Sequence, residues 1–306
     1  MKWRKLGRVY CPDGARGWDQ HSALTPTPIL LNERTIRVYA GFRDAAGVSR
    51  IGFVDVDADD PTRVLAVSAR PVIDIGSPGC FDDNGMILGD IVAFDGALHM
   101  YYIGFQLVAK AKFLAFTGLA ISEDGGESFQ RVSRAPVLDR ADHAVCFHAI
   151  HSILIEDGRW HAWCGTGSDW RTIADQSYPS YSVTRVDSPD GRRFSSDCAP
   201  CLQFEGDEYR IGRPRVYRDG DRYRMFYTIG TLRGTYLPGY AESSDGVYWQ
   251  RRDSEVGIAP SADGWDSLAL SYPALLWVRS RVFMFYNGNQ MGKTGFGVAE
   301  LESGSR

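Results

Sequence analysis

Long apolar runs are missing from this 306-residue chain. Nothing approaches the roughly 20 residues that a membrane helix needs, so no membrane partner is expected. The opening Met1-Lys2-Trp3-Arg4-Lys5-Leu6-Gly7 lacks the apolar core of a secretory leader. Cysteine is sparse: six, scattered, do not make a disulfide framework, and a reduced cytoplasmic setting is the expectation. Neither sign of charge dominates, with 34 Lys+Arg against 38 Asp+Glu and no basic block, which argues against a nucleic-acid partner. No segment keeps a 3.6-residue apolar period over three turns, so a helical architecture is excluded. Hydrophobic residues at 44% and charged ones at 24% exclude disorder. What is plentiful is 33 Gly, 15 Tyr, 15 Phe and 8 Trp. Glycine-punctuated, aromatic-rich sequence reads as many short strands.

The chain repeats. The segments Ile36–Gly41, His99–Gly104, His161–Gly165, Arg224–Thr228 and Phe283–Gly288 read alike, and their markers Tyr39, Tyr101, Trp163, Phe226 and Phe285 are 62, 62, 63 and 59 residues apart. Pro12, Pro71, Pro136, Pro200 and Pro260 keep the same period, at 59, 65, 64 and 60. Two markers with one period define five units.

Each unit parses into four strands. An apolar strand such as Gly89–Phe94 runs into an Asp-Gly turn (Asp95-Gly96, Asp157-Gly158, Asp219-Gly220), a strong hairpin signal. The aromatic strand follows, then a third strand such as Phe113–Ile121. A Ser-x-Asp-Gly turn then leads to an aromatic: Ser122/Asp124/Gly125/Phe129, Ser188/Asp190/Gly191/Phe194 and Ser243/Asp245/Gly246/Trp249. Four-stranded antiparallel sheets repeated radially make a β-propeller, whose edges are short and protected. The expected fold is all-β: one five-bladed propeller domain with blades at about 13–71, 72–136, 137–200, 201–260 and 261–301. The last lacks its own fourth strand, and residues 2–10 are expected to supply it and close the ring.

In such a fold, loops leading into the first strands and loops leaving the second strands converge on one face. The leading loops carry Asp19 and His21, then Asp82, Asp83 and Asn84, then His148, then Glu208 and Arg210, then Asp266. Deeper, one position per unit makes a ring of Thr27, Gly89, His151, Arg213 and Tyr272. The departing loops add Arg43, Gln106, and Asp169-Trp170. Carboxylates, amides, arginines and aromatic faces in one concavity suit a polyhydroxylated ligand.

Five units with these turns resemble the five-bladed propeller glycosidases: arabinanases, β-xylosidases, invertases, levansucrases and the related mannoside phosphorylases. The resemblance covers essentially the whole chain, and implies a carbohydrate-active protein with a small saccharide or glycan in its central channel. It also implies carboxylates on the inner strands of the first three blades, one of them protonated to assist the leaving group. The positions that correspond here are Thr27, Gly89, His151, Arg213 and Tyr272, none of them acidic. The acids lie a few residues earlier.

Asp83 and Glu208 are therefore the expected catalytic pair, with Asp82 tuning them. Asp19, His21, Arg43, Asn84, Gln106, His148, His151, Asp169, Trp170, Arg210, Arg213, Asp266 and Tyr272 are expected to bind substrate. Each has a plainer reading. Phe81–Gly85 is also a good solvated turn, and Asp207-Glu208 also reads as a surface pair. Arg210, Arg213 and Arg215 read either as a salt-bridge ladder or as a site for phosphate or another anion. His148 and His151 face opposite sides of a strand, and Cys198-Ala199-Pro200-Cys201 stands alone, so neither a metal nor another cofactor is expected. Trp170 is the expected sugar-stacking platform. A glycosidase-like enzyme is the leading expectation. A non-catalytic propeller for glycans or anionic sugars, and a phosphate-dependent phosphorylase, stand beside it.

Overall fold

The computed structural model describes residues 1–302 and 304, and the chain folds almost entirely as strands. Strand β1 (Trp3–Tyr10) comes first. It is followed by β2 (His21–Asn32), β3 (Thr35–Arg43), β4 (Ser49–Asp57) and β5 (Val64–Val67), which pair antiparallel in that order. The same meander recurs in β6 (Met86–Phe94), β7 (Ala97–Gln106), β8 (Leu114–Ser122) and β9 (Gln130–Arg131). It recurs again in β10 (Phe147–Glu156), β11 (Arg159–Ile173), β12 (Gln176–Ser188) and β13 (Ala199–Pro200). The fourth is β14 (Glu208–Asp219), β15 (Arg222–Thr231), β16 (Tyr236–Ser243) and β17 (Gln250–Arg251). The last has three strands in sequence, β18 (Ser271–Val278), β19 (Arg281–Asn287) and β20 (Phe296–Leu301). Strand β1 pairs with β20 from Trp3↔Leu301 to Tyr10↔Phe296.

Turn chemistry sets the registers. Asp95-Gly96 and Asp157-Gly158 are two-residue hairpin loops with positive φ at both positions, the geometry that Asp-Gly tolerates best. In the fourth unit Asp219 pairs with Arg222, so the loop is Gly220-Asp221, one residue later than the sequence suggests.

No single core exists. Apolar side chains cluster between neighbouring sheets: Tyr39 and Phe53 with Leu88 and Met100, Tyr101 with Ile153 and Trp160, Trp163 with Ile211 and Met225. Phe226 and Tyr240 meet Leu275 and Met284, and Phe283 and Phe285 of the last sheet meet Val38 and Phe42 of the first. The first strands β2, β6, β10, β14 and β18 touch one another in the same cyclic order.

Three of the aromatic repeat markers and the Ser-x-Asp-Gly turns prove to be two halves of one contact. Tyr39 Oη donates to the carbonyl of Gly126 at 2.9 Å, Tyr101 Oη to Gly191 at 2.7 Å, and Trp163 Nε1 to Gly246 at 3.0 Å. Each aromatic in a second strand thus bonds the Ser-x-Asp-Gly turn of the next sheet. Within each turn the aspartate accepts hydrogen bonds that hold it below the ordinary carboxylate value: at Asp124 from the Ser128 and Ser122 hydroxyls and then backbone N–H groups, at Asp190 from backbone N–H groups first, and at Asp245 from backbone N–H groups against the opposing effect of burial. The remaining markers, Phe226 and Phe285, carry no donor. They face the last and first sheets, which lack that turn. Trp3 packs edge-on against Phe226 instead, its Nε1 bonded to the carbonyl of Val256.

Candidate functional site

Every first strand is interrupted at the same depth. Pairing to the second strand slips between Leu24 and Thr27, Leu88 and Asp90, Ile150 and Ser152, Gly212 and Arg215, and Ser271 and Ala274. The residues left over are Thr25, Gly89, His151, Arg213 and Tyr272. Bulges of this kind re-aim a side chain out of the ladder. Thr25, Arg213 and Tyr272 each precede proline and hold φ near +52°, +53° and +58°. A left-handed non-glycine residue costs on the order of 1–3 kcal/mol, strain that concentrates at functional sites. The ring position in the first sheet is therefore Thr25, two residues before the expected Thr27. Thr-Pro-Thr-Pro offers two equal registers in sequence, and the fold selects the first. Gly89 has no alternative: a Cβ there would stand 2.1 Å from the carbonyl of Ile150.

Arginines dominate the centre. Arg213, 2% exposed, donates to the carbonyls of Leu88, Gly89 (3.0 Å) and Thr25 (3.1 Å) and to Thr27 Oγ1 (2.6 Å), all neutral acceptors. Arg215 takes the one carboxylate at hand, Asp90 Oδ1 at 2.5 Å, and the carbonyl of His151 at 2.9 Å. Asp90 is further bonded by the backbone N–H groups of Ile91 and Ile153. Burial, then the Arg215 cation, holds Arg213 well below the ordinary arginine value. Burial also lowers Arg215, but Asp90 and Tyr217 together more than offset it and the net shift is upward. Burial, then both arginines, keeps the His151 imidazole neutral.

Arg210, 7% exposed, sits among rings rather than acids, with Tyr236, Tyr209 and Tyr178 at 4.5, 4.8 and 5.5 Å from its guanidinium carbon. Arg43 is half-buried and lowered by desolvation. The Tyr272 phenol stands beside Tyr181 in the field of Arg210, Arg213 and Arg43, raised by burial above its ordinary value. Among the described residues, the buried Nε atoms of Arg43, Arg210 and Arg213 have no hydrogen-bond partner, nor do His151 Nδ1 and Tyr236 Oη. The structure thus gathers Arg43, His151, Arg210, Arg213 and Tyr272, five of the residues that the sequence nominates.

The nominated acids are placed differently. Asp82 is buried, holding Arg131 at 2.7 Å and the Tyr102 hydroxyl at 3.2 Å. Asp266 likewise holds Lys5 at 2.7 Å and the Tyr286 hydroxyl at 3.0 Å, and Asp19 holds Arg16 at 2.7 Å. Phe81 and Trp265, one residue before two of these acids, stack on the same tyrosines, Tyr102 and Tyr286. Each aromatic-Asp pair braces its sheet against the outermost strand, since Arg131 lies on β9 and Lys5 on β1. Glu208 forms a two-pronged pair with Arg251 of β17, at 2.7 and 2.8 Å. Asp83 is half-buried, and its Oδ2 accepts the N–H of Gly79 at 2.8 Å.

The other nominated residues are held by local contacts. His21 is half-buried, Nδ1 against Ser22 Oγ, and pairs across the ladder with Arg43. Asn84 is tied by its backbone to Phe105. Gln106 lines a cavity of about 620 Å³ with Phe81, Phe116, Arg134 and Arg140. His148 bonds through Nδ1 to the carbonyl of Asp139 and is pushed down to about 4 by burial. Asp169 is exposed on β11, and Trp170 meets Phe113 edge-on at 5.2 Å. Among the described residues no group of three or more His, Cys, Asp or Glu side chains could hold a metal ion, and no helix is long and apolar enough to cross a membrane.

Sequence reasoning passed over Asp90, Thr25, Tyr181, Tyr209 and Tyr236. Asp90 had a signal: a carboxylate inside an apolar strand is buried and must be paired. The tyrosines had none, because aromatic residues recur throughout the chain.

No family profile matches the chain. Among solved structures it is similar to a β-1,2-mannobiose phosphorylase from Listeria innocua, at a TM-score of 0.74 and 12% identity over 99% of this chain and 97% of that one. A family-43 glycoside hydrolase described as thermostable superposes at 0.68, with 14% identity over 95% and 93%. These likenesses show the fold, that of the glycoside hydrolase-like propellers. Among curated sequences, Rv1502 of Mycobacterium tuberculosis H37Rv and MT1551 of strain CDC 1551, both described as uncharacterized, are each 34% identical over 308 residues, spanning 99% of this chain and all of theirs. With identity sustained from end to end, the chain belongs to the family of Rv1502.

Proposed function

We propose that the five meanders are the blades of a single five-bladed propeller closed by β1, and that its central mouth binds a saccharide carrying an anionic group. The cyclic clusters between sheets support the architecture. One observation carries the ligand: Arg43, Arg210 and Arg213, whose charges all act on the Tyr272 phenol, make no ion pair among the described residues, while Asp90 is already held by Arg215. Buried charge is costly until it is paired, and a phosphate or carboxylate on the ligand supplies the missing partner bidentately. Phe147 stacked on Tyr181 at 4.6 Å offers an apolar face beside the cations, and sugars take such faces together with hydrogen bonds.

Calorimetry at low salt with galacturonate, glucose 6-phosphate and neutral galactose and glucose tests this, since salt screens the term in question. Binding of the anionic sugars alone is expected. Equal binding of the neutral sugars, or no binding of the anionic ones at millimolar concentration, overturns it.

A second reading is cleavage or phosphorolysis of a glycosidic bond, with Asp83 and Glu208 as the carboxylates and Asp82 beside them. It is supported by Asp83, whose Oδ1 has no protein hydrogen bond among the described residues. On this reading Asp83→Asn or Glu208→Gln abolishes turnover of a glycan substrate in a folded protein, and full activity in both eliminates it. Dependence of turnover on added phosphate distinguishes phosphorolysis from hydrolysis.

A further inference from the structure

The hairpin formed by β11 and β12 is the longest of the fold, with strands of 15 and 13 residues. It turns through Ala174-Asp175, both at positive φ, and its outer end sets Trp170 opposite Pro179 and Arg171 opposite Tyr178. The loop between β7 and β8 lies against it. Together they border an open groove of about 430 Å³ lined by Ala109, Lys110, Ala111, Lys112, Trp170, Gln176 and Ser177. Among the described residues no carboxylate lines this groove, neither lysine makes an ion pair, and the buried indole nitrogen of Trp170 has no acceptor.

Tyr178 joins this groove to the centre. The Lys112 ammonium lies 5.8 Å from its ring and the Arg210 guanidinium 5.5 Å from the same ring. The two cations are therefore no farther apart than those distances combined, roughly the span of a disaccharide. Phe113, between Phe105 and Trp170 at 5.2 Å from each, backs the indole.

We infer that this groove is a second subsite, taking the next anion-bearing unit of an acidic oligosaccharide whose first anionic group sits on the central arginines. The inference rests on the proposed ligand class and extends it from a single sugar to a chain with two negative charges. The Trp170 ring receives the sugar face, its N–H donates to a ring or linkage oxygen, and Lys110 and Lys112 hold the second anion. Uronate carboxylates and sugar phosphates share this chemistry. Two tethered contacts act at high effective concentration, so the gain from the second unit far exceeds one added contact.

The test is calorimetric titration of the full chain with galacturonate, digalacturonate and trigalacturonate, and in a parallel arm with glucose 6-phosphate and glucose 1,6-bisphosphate. The arm with the steeper gain identifies the anion. In the unaltered protein the ligand with two anionic groups in at least one arm is expected to bind tenfold or more tighter than its parent with one. In Lys110→Ala/Lys112→Ala that ratio is expected to fall to near one while the parent binds as before, and in Trp170→Ala the ratio is expected to fall as well. Equal affinity for ligands with one and two anionic groups in the unaltered protein overturns the second subsite alone, leaving the central one. A ratio unchanged in both variants also overturns it. Failure of every anionic sugar to bind removes both readings together.

Discussion

The outer turns and the inner ring of this molecule solve opposite problems. At the outer turns the aspartates and the glycine carbonyls have protein partners: aspartate with backbone N–H, glycine carbonyl with the aromatic of the preceding sheet. At the inner ring the backbone is bulged, three residues sit at positive φ before proline, and arginine nitrogens are orphaned. Satisfied hydrogen bonds hold the sheets in place and serve stability. On the proposed function, the unpaired charge of the centre serves a ligand.

The largest test of that contrast is Arg213→Met. Losing a buried, hydrogen-bonded cation opposite a charged ligand costs on the order of 3 kcal/mol of affinity, about a hundredfold. The free protein is expected to be no less stable, because the guanidinium has no carboxylate of its own. Calorimetry and chemical denaturation check the two halves. A large loss of stability without loss of binding would make the centre as structural as the turns.

Next is pH. His148 has its folded pKa lowered to about 4 by burial, with His143 opposing and the Asp139 carbonyl favouring the charged form. An unfolded histidine titrates near 6.5. The unfolded chain therefore binds the extra proton first, so stability is full above about pH 6.5 and is lost as pH falls from there toward 4. The loss is on the order of 3 kcal/mol by pH 4. His148→Asn, which keeps a donor for the Asp139 carbonyl, is expected to flatten that slope in urea midpoints between pH 7 and 4.

Smaller effects separate the turns from one another. Phe226→Tyr adds a hydroxyl facing a sheet with no Ser-x-Asp-Gly turn, and is expected to cost about 1–3 kcal/mol as a buried unpaired group. Tyr101→Phe removes a satisfied bond to Gly191 and is expected to cost about 1 kcal/mol. Equal effects in the two variants, measured by denaturant unfolding, would mean that the hydroxyls do not distinguish these interfaces.

Much of this was legible in the residues themselves. The period, the strands, the Asp-Gly hairpins and the partnership of the N-terminal strand with the last sheet follow from local pattern and turn chemistry. Arg43, His151, Arg210, Arg213 and Tyr272 were identified from their places ahead of, within or after first and second strands. The acids were harder. Asp19, Asp82 and Asp266 follow aromatic residues in the leading loops, and nothing local says that Arg16, Arg131 and Lys5 hold them. Arg131 lies 49 residues from Asp82, and Lys5 lies 261 residues from Asp266.

The sequence by itself determined the recurring strands and their turns, because strand period and turn geometry are properties of a few consecutive residues; which aromatic meets which turn, 83 to 90 residues away, it did not. Only the tertiary structure decided which carboxylates are braced and which arginines are left without one. Charge pairing depends on distances between units some sixty residues apart, and a bulge of one or two residues, as at Thr25-Pro26, changes which side chain reaches the axis.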